Sequence, residues 1–225
     1  MGLLDKIRGL GWVVGSRKGE KAVQEGRWED ALDHLNEALA LNPKDAHAYF
    51  YRGLAHGGLG NLNAAIRDLN SARKFGPEDS ALLTNLGTCY LRRGQFAAAL
   101  KQYKKALLLN PGDARALLNV GIVYAKQSES APPRSKPRLA ARALDSLDKA
   151  ISRDPRLPEA YRERALLLAS REDLGEALED LTYAIHLDDA YSEAYEDRSA
   201  LYQRLGDGEN AKADLARARD LRPSD

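Results

Sequence analysis

The residues able to do polar chemistry in this chain are four histidines, one cysteine and a set of arginines and aspartates that recur at fixed separations. A metal site needs His, Cys, Asp or Glu spaced so that two or three share a face. His34, His47, His56 and His186 show no such spacing: His47 and His56 are nine residues apart, which turns them to opposite sides of a helix. Cys89 has no neighbouring base to make it a thiolate nucleophile. A single cysteine also forms no disulfide framework and no Cys-based metal site within one chain. The glycines of "GLAHGGLGN" at 53–61 do not follow a strand, as a phosphate loop would; Gly57 and Gly58 are expected to loosen or kink the end of a helix. These residues read as surface or seam groups. No catalytic residue, cofactor, metal or small-molecule substrate is expected, and the chain does not read as an enzyme.

The elements that carry these residues are helices. Of 225 residues, 44% are hydrophobic and 30% charged, with Ala, Leu and Arg favoured over Ile, Val and Phe, a balance that suits helix over sheet. No apolar run reaches the ~20 residues of a membrane span. The start, "MGLLDKIRGLGWVVG", is broken by Asp5, Lys6 and Arg8, so a signal peptide is not expected and a cytoplasmic location is. Residues 1–127 carry 18 Lys+Arg against 12 Asp+Glu, and residues 128–225 carry 16 against 21. The charge is dipolar rather than generally basic, which argues against nucleic acid as the partner.

A period runs through the chain. "NEALALNP", "NSARKFGP", "KKALLLNP" and "DKAISRDP" end at Pro43, Pro77, Pro111 and Pro155, in steps of 34, 34 and 44 residues. Setting aside the ten residues "SESAPPRSKP" at 128–137, six repeats of 34 tile the rest: 12–45, 46–79, 80–113, 114–157, 158–191 and 192–225. Position 8 of the repeats holds Gly19, Gly53, Gly87, Gly121, Ala165 and Ser199. Positions 20 and 27 hold Ala throughout. Position 24 holds Leu35, Leu69, Tyr103, Leu147, Leu181 and Leu215. Small residues opposite one large one describe two antiparallel helices in close approach. Glycine at position 15 suits the left-handed residue that ends the first helix, and proline at position 32 stops the second. No single pair can bury its apolar stripe alone; stacking does it. Where position 7 is Arg, position 23 is Asp: Arg52/Asp68, Arg164/Asp180 and Arg198/Asp214 are expected to be structural ion pairs within a repeat or between adjacent repeats.

The pattern resembles the tetratricopeptide repeat family. The third repeat, "LTNLGTCYLRRGQFAAALKQYKKALLLNP", supplies Leu86, Gly87, Tyr90, Gly94, Phe96, Ala99, Tyr103, Ala106 and Pro111 in order. The resemblance runs from residue 12 onward, with residues 1–11 as a capping or docking segment. It implies an all-α, right-handed α-solenoid of helix-turn-helix repeats, one domain, with a concave groove lined by first helices. Carried over residue by residue, the partner-binding groove comprises Phe50, Tyr51, Asn85, Thr88, Arg92, Arg115, Asn119, Ile122, Lys126, Glu159, Glu163 and Glu196. Asn85 and Asn119 stand at position 6 of consecutive repeats, where stacked amides hold a peptide backbone without reading its side chains. Arg92, Arg115 and Lys126 lie toward the middle and the glutamates beyond, so a bound segment is expected to place acidic groups centrally and basic groups toward the last repeats. The family's carboxylate clamp is not expected. Only Asn85 and Arg115 match it in one register, and Glu159 and Glu163 would repel a carboxylate in the other.

Two further segments are open. Leu3, Ile7, Leu10 and Val14 share one helical face, either as a cap on the first repeat or, with Leu4, Trp12, Lys6 and Arg8, as a docking helix touching a membrane or a partner. Residues 128–137 enlarge the turn inside the fourth repeat, since the register resumes at Arg138; they read as a tolerated loop or as a docking or modification site bearing Ser128, Ser130 and Ser135. The reading is a monomeric, non-catalytic scaffold or adaptor that binds a peptide or helix of a protein partner. A membrane-associated assembly factor is the main rival, and an RNA-binding array the lesser one.

Overall fold

Residue pattern and chain geometry agree on helix pairs. The computed structural model describes residues 3–222, with side chains from Gly11 onward. Leu3, Leu4, Lys6, Ile7, Arg8 and Leu10 of the N-terminal segment therefore lie outside the described side chains, and Pro223 lies outside the described residues. Twelve α-helices and no strand occur among the described residues. They fall into two compact units, Met1–Pro111 and Gly112–Asp225. The first holds α1 (Leu3–Gln24), α2 (Trp28–Leu41), α3 (Ala46–Gly58), α4 (Leu62–Phe75), α5 (Ser80–Arg92) and α6 (Phe96–Leu109). The second holds α7 (Ala114–Glu129), α8 (Lys136–Arg153), α9 (Pro158–Ala169), α10 (Leu174–Leu187), α11 (Ser192–Leu205) and α12 (Gly208–Asp220). Each unit is a stack of three helix pairs, the all-α solenoid architecture expected from the period.

The seam inside each pair is the one that positions 8 and 24 describe. A Cβ added to Gly19, Gly53 or Gly121 would come within 2.3, 2.9 or 2.7 Å of Leu35, Leu69 or Leu147, and one on Gly87 within 2.5 Å of the Tyr103 ring. The large residue fills the space glycine leaves, and Leu35, Leu69, Tyr103 and Leu147 are fully buried. Each buried Leu contributes about 1.5–3 kcal/mol through apolar burial. In the sixth repeat, Ser199 stands at position 8 and donates to the Ala211 carbonyl at 2.7 Å, so its hydroxyl is satisfied in the seam. The first helices end as expected at Gly26, Gly60, Gly94 and Gly206, all with positive φ. The fifth repeat ends the same way on a non-glycine, Glu172, at φ 67°.

Starts are set by aspartate. Asp45, Asp79 and Asp113 close the first three repeats, and their carboxylates accept backbone N–H groups of α3, α5 and α7. The N-terminal segment runs as α1 unbroken from Leu3 into the first repeat. Its glycines are tolerated where it meets α2: Gly15 lies against Ala38 and Gly19 against Leu35. Gly58 does not loosen α3; it makes room for the indole of Trp28, 2.6 Å from where a Cβ would stand. Finally, four of the ten insert residues (128, 129, 136 and 137) are helical. The insert lengthens α7 to 16 residues and α8 to 18, leaving only 130–135 as connection. Pro137 sits in the first turn of α8, where proline fits, and Pro132 and Pro133 fall in the connection.

Candidate functional site

The Arg/Asp pairs belong to the framework. Arg52, Arg164 and Arg198 each grip Asp68, Asp180 and Asp214 with two N–H···O bonds of 2.7–2.8 Å, joining the two helices of one repeat. A third donor reaches back to position 25 of the preceding repeat: Asn36, Asp148 or Thr182. The guanidinium also lies over the ring at position 4, Tyr49, Tyr161 or Tyr195, at 5.3–5.8 Å. One arginine thus ties three helices. The sequence shows two of the partners by their constant spacing; the third varies in type and escapes a search for charge.

First-helix faces carry the remaining polar groups. In the first compact unit, the Ser16 hydroxyl donates to Asp45 at 3.0 Å and lies 3.2 Å from His47 Nδ1. His47 Nε2 is 3.3 Å from Glu20, which also accepts from Tyr51 at 2.7 Å. Burial, then the bond to Glu20, pushes the Tyr51 hydroxyl up to about 12. Serine, histidine and glutamate in line suggest a nucleophile, yet Ser16 is 3% exposed and its proton is given to Asp45. The group locks α1 to α3. Phe50 and Tyr51 meet edge to face and, with Ala81 and Leu82, line a cleft of about 490 Å³. Asn85 donates to the Ala81 carbonyl, and Thr88 to the Thr84 carbonyl, one turn back in α5. Arg92 donates to the Gly57 carbonyl at the end of α3. In the second compact unit Arg204 does the same to Ala169. An arginine at position 13 therefore caps the preceding first helix, where the dipole favours a cation.

In the second compact unit, Ile122, Lys126 and Glu163 are brought together. They line a cavity of about 310 Å³ between α7 and α9, with Glu129, Arg162 and Leu166. Arg162 bonds Asp197 of α11 at 2.5 Å and stands 3.6 Å from Glu163. Burial pushes both carboxyls up despite that cation. Glu159 Oε2 is buried with no hydrogen-bond partner. Glu196 pairs with Arg222, and Arg115 is exposed at the start of α7. Asn119 lies half-buried on α7. His56 is held below its ordinary value by burial and lies 3.8 Å from Asp68. Cys89 is a free, buried thiol. Among the described residues, no three of His, Cys, Asp and Glu gather as metal ligands do, and no helix is long and apolar enough to cross a membrane.

Stacked helix pairs with a repeated seam define a helical-repeat protein. Residues 19–60 match the TPR repeat family model and residues 80–113 match the Tetratricopeptide repeat model, so the chain contains tetratricopeptide repeats, and its other helix pairs share their register. It is 45% identical over 51 residues to the TPR repeat-containing thioredoxin of Oryza sativa subsp. japonica, a match covering 23% of this chain and 16% of that protein. Its fold is like that of a thermophilic TPR protein from Thermus thermophilus, with TM-score 0.74, 24% identity, and 80% of this chain and 93% of that one covered. It is also like that of YrrB, a TPR protein with an unusual peptide-binding site: TM-score 0.54, 24% identity, 78% and 86% covered.

Proposed function

We propose that this chain is a non-catalytic scaffold that binds a peptide segment or helix of a partner protein on the faces of its first helices. The observation that carries the reading is the α7–α9 cavity and its surroundings. Ile122 and Leu166 line it together with Lys126, Glu129, Arg162 and Glu163, burial raises Glu163 and Asp197 despite Arg162, and one Glu159 oxygen is without a donor. A folded protein keeps carboxyls raised in this way at a cost to stability, which a partner's Lys or Arg would relieve. YrrB, with the same fold, has a peptide-binding site, which supports a peptide as the ligand.

The polarity follows from charge. Glu159, Glu163 and Glu196 would meet basic groups of the segment, and Arg115 and Lys126 acidic ones; Arg92, engaged with Gly57, contributes less than its charge implies. On the first unit Asn85 would meet a segment's backbone after releasing its bond to Ala81, and on the second unit Asn119 would do so. Affinity capture followed by mass spectrometry, comparing the parent with Asn85→Ala/Asn119→Ala, tests this. The substitution is expected to remove specific partners, and an unchanged partner set counts against the reading.

A further inference from the structure

The insert stands outside the 34-residue register, and five other repeats form their helix pairs without a counterpart, so the fold does not require it. It is nonetheless built with care. Ser128, 4% exposed, donates to the Lys136 carbonyl at 3.1 Å, and the Ser135 and Lys136 amides both bond the Pro132 carbonyl, which pins the tip of the α7–α8 hairpin. Ser128 is therefore closed to modification. Against the turn that follows α9, the tip encloses a cleft of about 540 Å³ walled by Pro133, Pro137, Ala140 and Ala141, with Lys136 and Arg171 on its rim.

The charge around this cleft is one-sided. Residues 126–142 hold Lys126, Arg134, Lys136, Arg138 and Arg142 against the single acid Glu129, inside a region (128–225) that is acidic as a whole. Among the described residues Arg134, Lys136 and Arg138 enter no ion pair; the neighbouring pairs are made by Lys149, Arg164 and Arg171. Lys136 and Arg138 also open α8 with no acid in its first turn and no side-chain cap, an unfavourable place for cations. Cations beside an apolar cleft, Lys136 unpaired and Arg171 held only by the exposed Asp173 at 3.5 Å, suit a ligand that carries carboxylates on either side of an apolar side chain.

We propose that the α7–α8 hairpin is a docking site for an acidic segment of a partner protein, whose apolar side chain enters the cleft while its Asp and Glu side chains meet Lys136, Arg138 and Arg171. The cleft adjoins the α7–α9 cavity, with which it shares Ser128, Lys136 and Ser170, but Glu163 does not line it. Its test uses the full chain and a short fluorescein-labelled peptide with Asp and Glu around a central Leu-Phe, followed by anisotropy. Saturable binding that weakens with salt is expected, with at least a tenfold loss in Lys136→Glu/Arg138→Glu/Arg171→Glu. Ala141→Trp, which fills the cleft and keeps the charge, is expected to lose the peptide too. Both variants are checked by thermal melting, and Glu159→Gln/Glu163→Gln/Glu196→Gln is expected to bind as the parent does, which separates this site from the first-helix faces. No saturable binding, equal binding by both hairpin variants, or equal affinity for oligouridine or for phosphatidylserine vesicles would overturn the proposal.

Discussion

At the scale of single residues, the arginine at position 7 is the most consequential polar group. Arg164 holds Asp180, which is only 10% exposed, and reaches the more exposed Asp148. Replacing Arg164 with Leu strands the Asp180 carboxylate and is expected to cost on the order of 2–3 kcal/mol. In denaturant melts the loss should shrink when Asp180 is also made Asn, with a coupling of about 1 kcal/mol or more; strict additivity would mean that the pair does not act as one unit. Asp148→Asn should cost under about 1 kcal/mol, as exposed pairs do. Glu163 works the other way. Burial raises its folded carboxyl above the unfolded value, so the folded state binds the extra proton and stability falls as pH rises through that window. Glu163→Gln is expected to melt above the parent at pH 7 and to converge with it below the ordinary carboxylate range; a gap of constant size across pH would refute the burial argument. Spacing made the Arg/Asp pairs legible in the sequence. The carbonyl bonds of Arg92 and Arg204 were not legible there, because their acceptors, Gly57 and Ala169, are backbone and leave no trace in residue type.

At the scale of elements, helix ends decide most of what differs between repeats. Four first helices finish on glycine in the left-handed region, and α9 finishes with Glu172 in the same conformation. That residue pays for its place partly through Arg204, which it bonds at 2.9 Å on an exposed surface. A strained non-glycine costs about 1 kcal/mol or more and an exposed ion pair returns less, so Glu172→Gly should raise stability by roughly 0.5–1 kcal/mol. A lower melting temperature would show that the Arg204 bond outweighs the strain. Helix identity was readable from the register, while helix length was not. The insert contains three prolines and looks like loop, but two of them cluster in the connection and the third tolerates the first turn of α8. In α1, contact with Leu35 and Ala38 makes the small residues Gly19 and Gly15 an advantage.

At the scale of the whole molecule, six copies of one seam specify the fold, and the chemistry that varies between copies specifies the surface. Positions 8, 20, 24 and 27 can be read without coordinates because each repeat restates them. The α7–α9 cavity could not be read that way. It depends on how far α7 extends and on which carboxyls of α9 and α11 share Arg162, and neither repeats. If the acid-rich face around Glu163 is kept for a basic ligand, as proposed, that preference should be selectable. Selection of a random displayed peptide library on the immobilised protein, run in parallel on Glu159→Gln/Glu163→Gln/Glu196→Gln, tests it without knowledge of the natural partner. Recurrent Lys or Arg is expected among peptides retained by the parent, with loss of that preference on the equally folded variant. The same preference on both proteins, or no enrichment of basic residues on the parent, would contradict it.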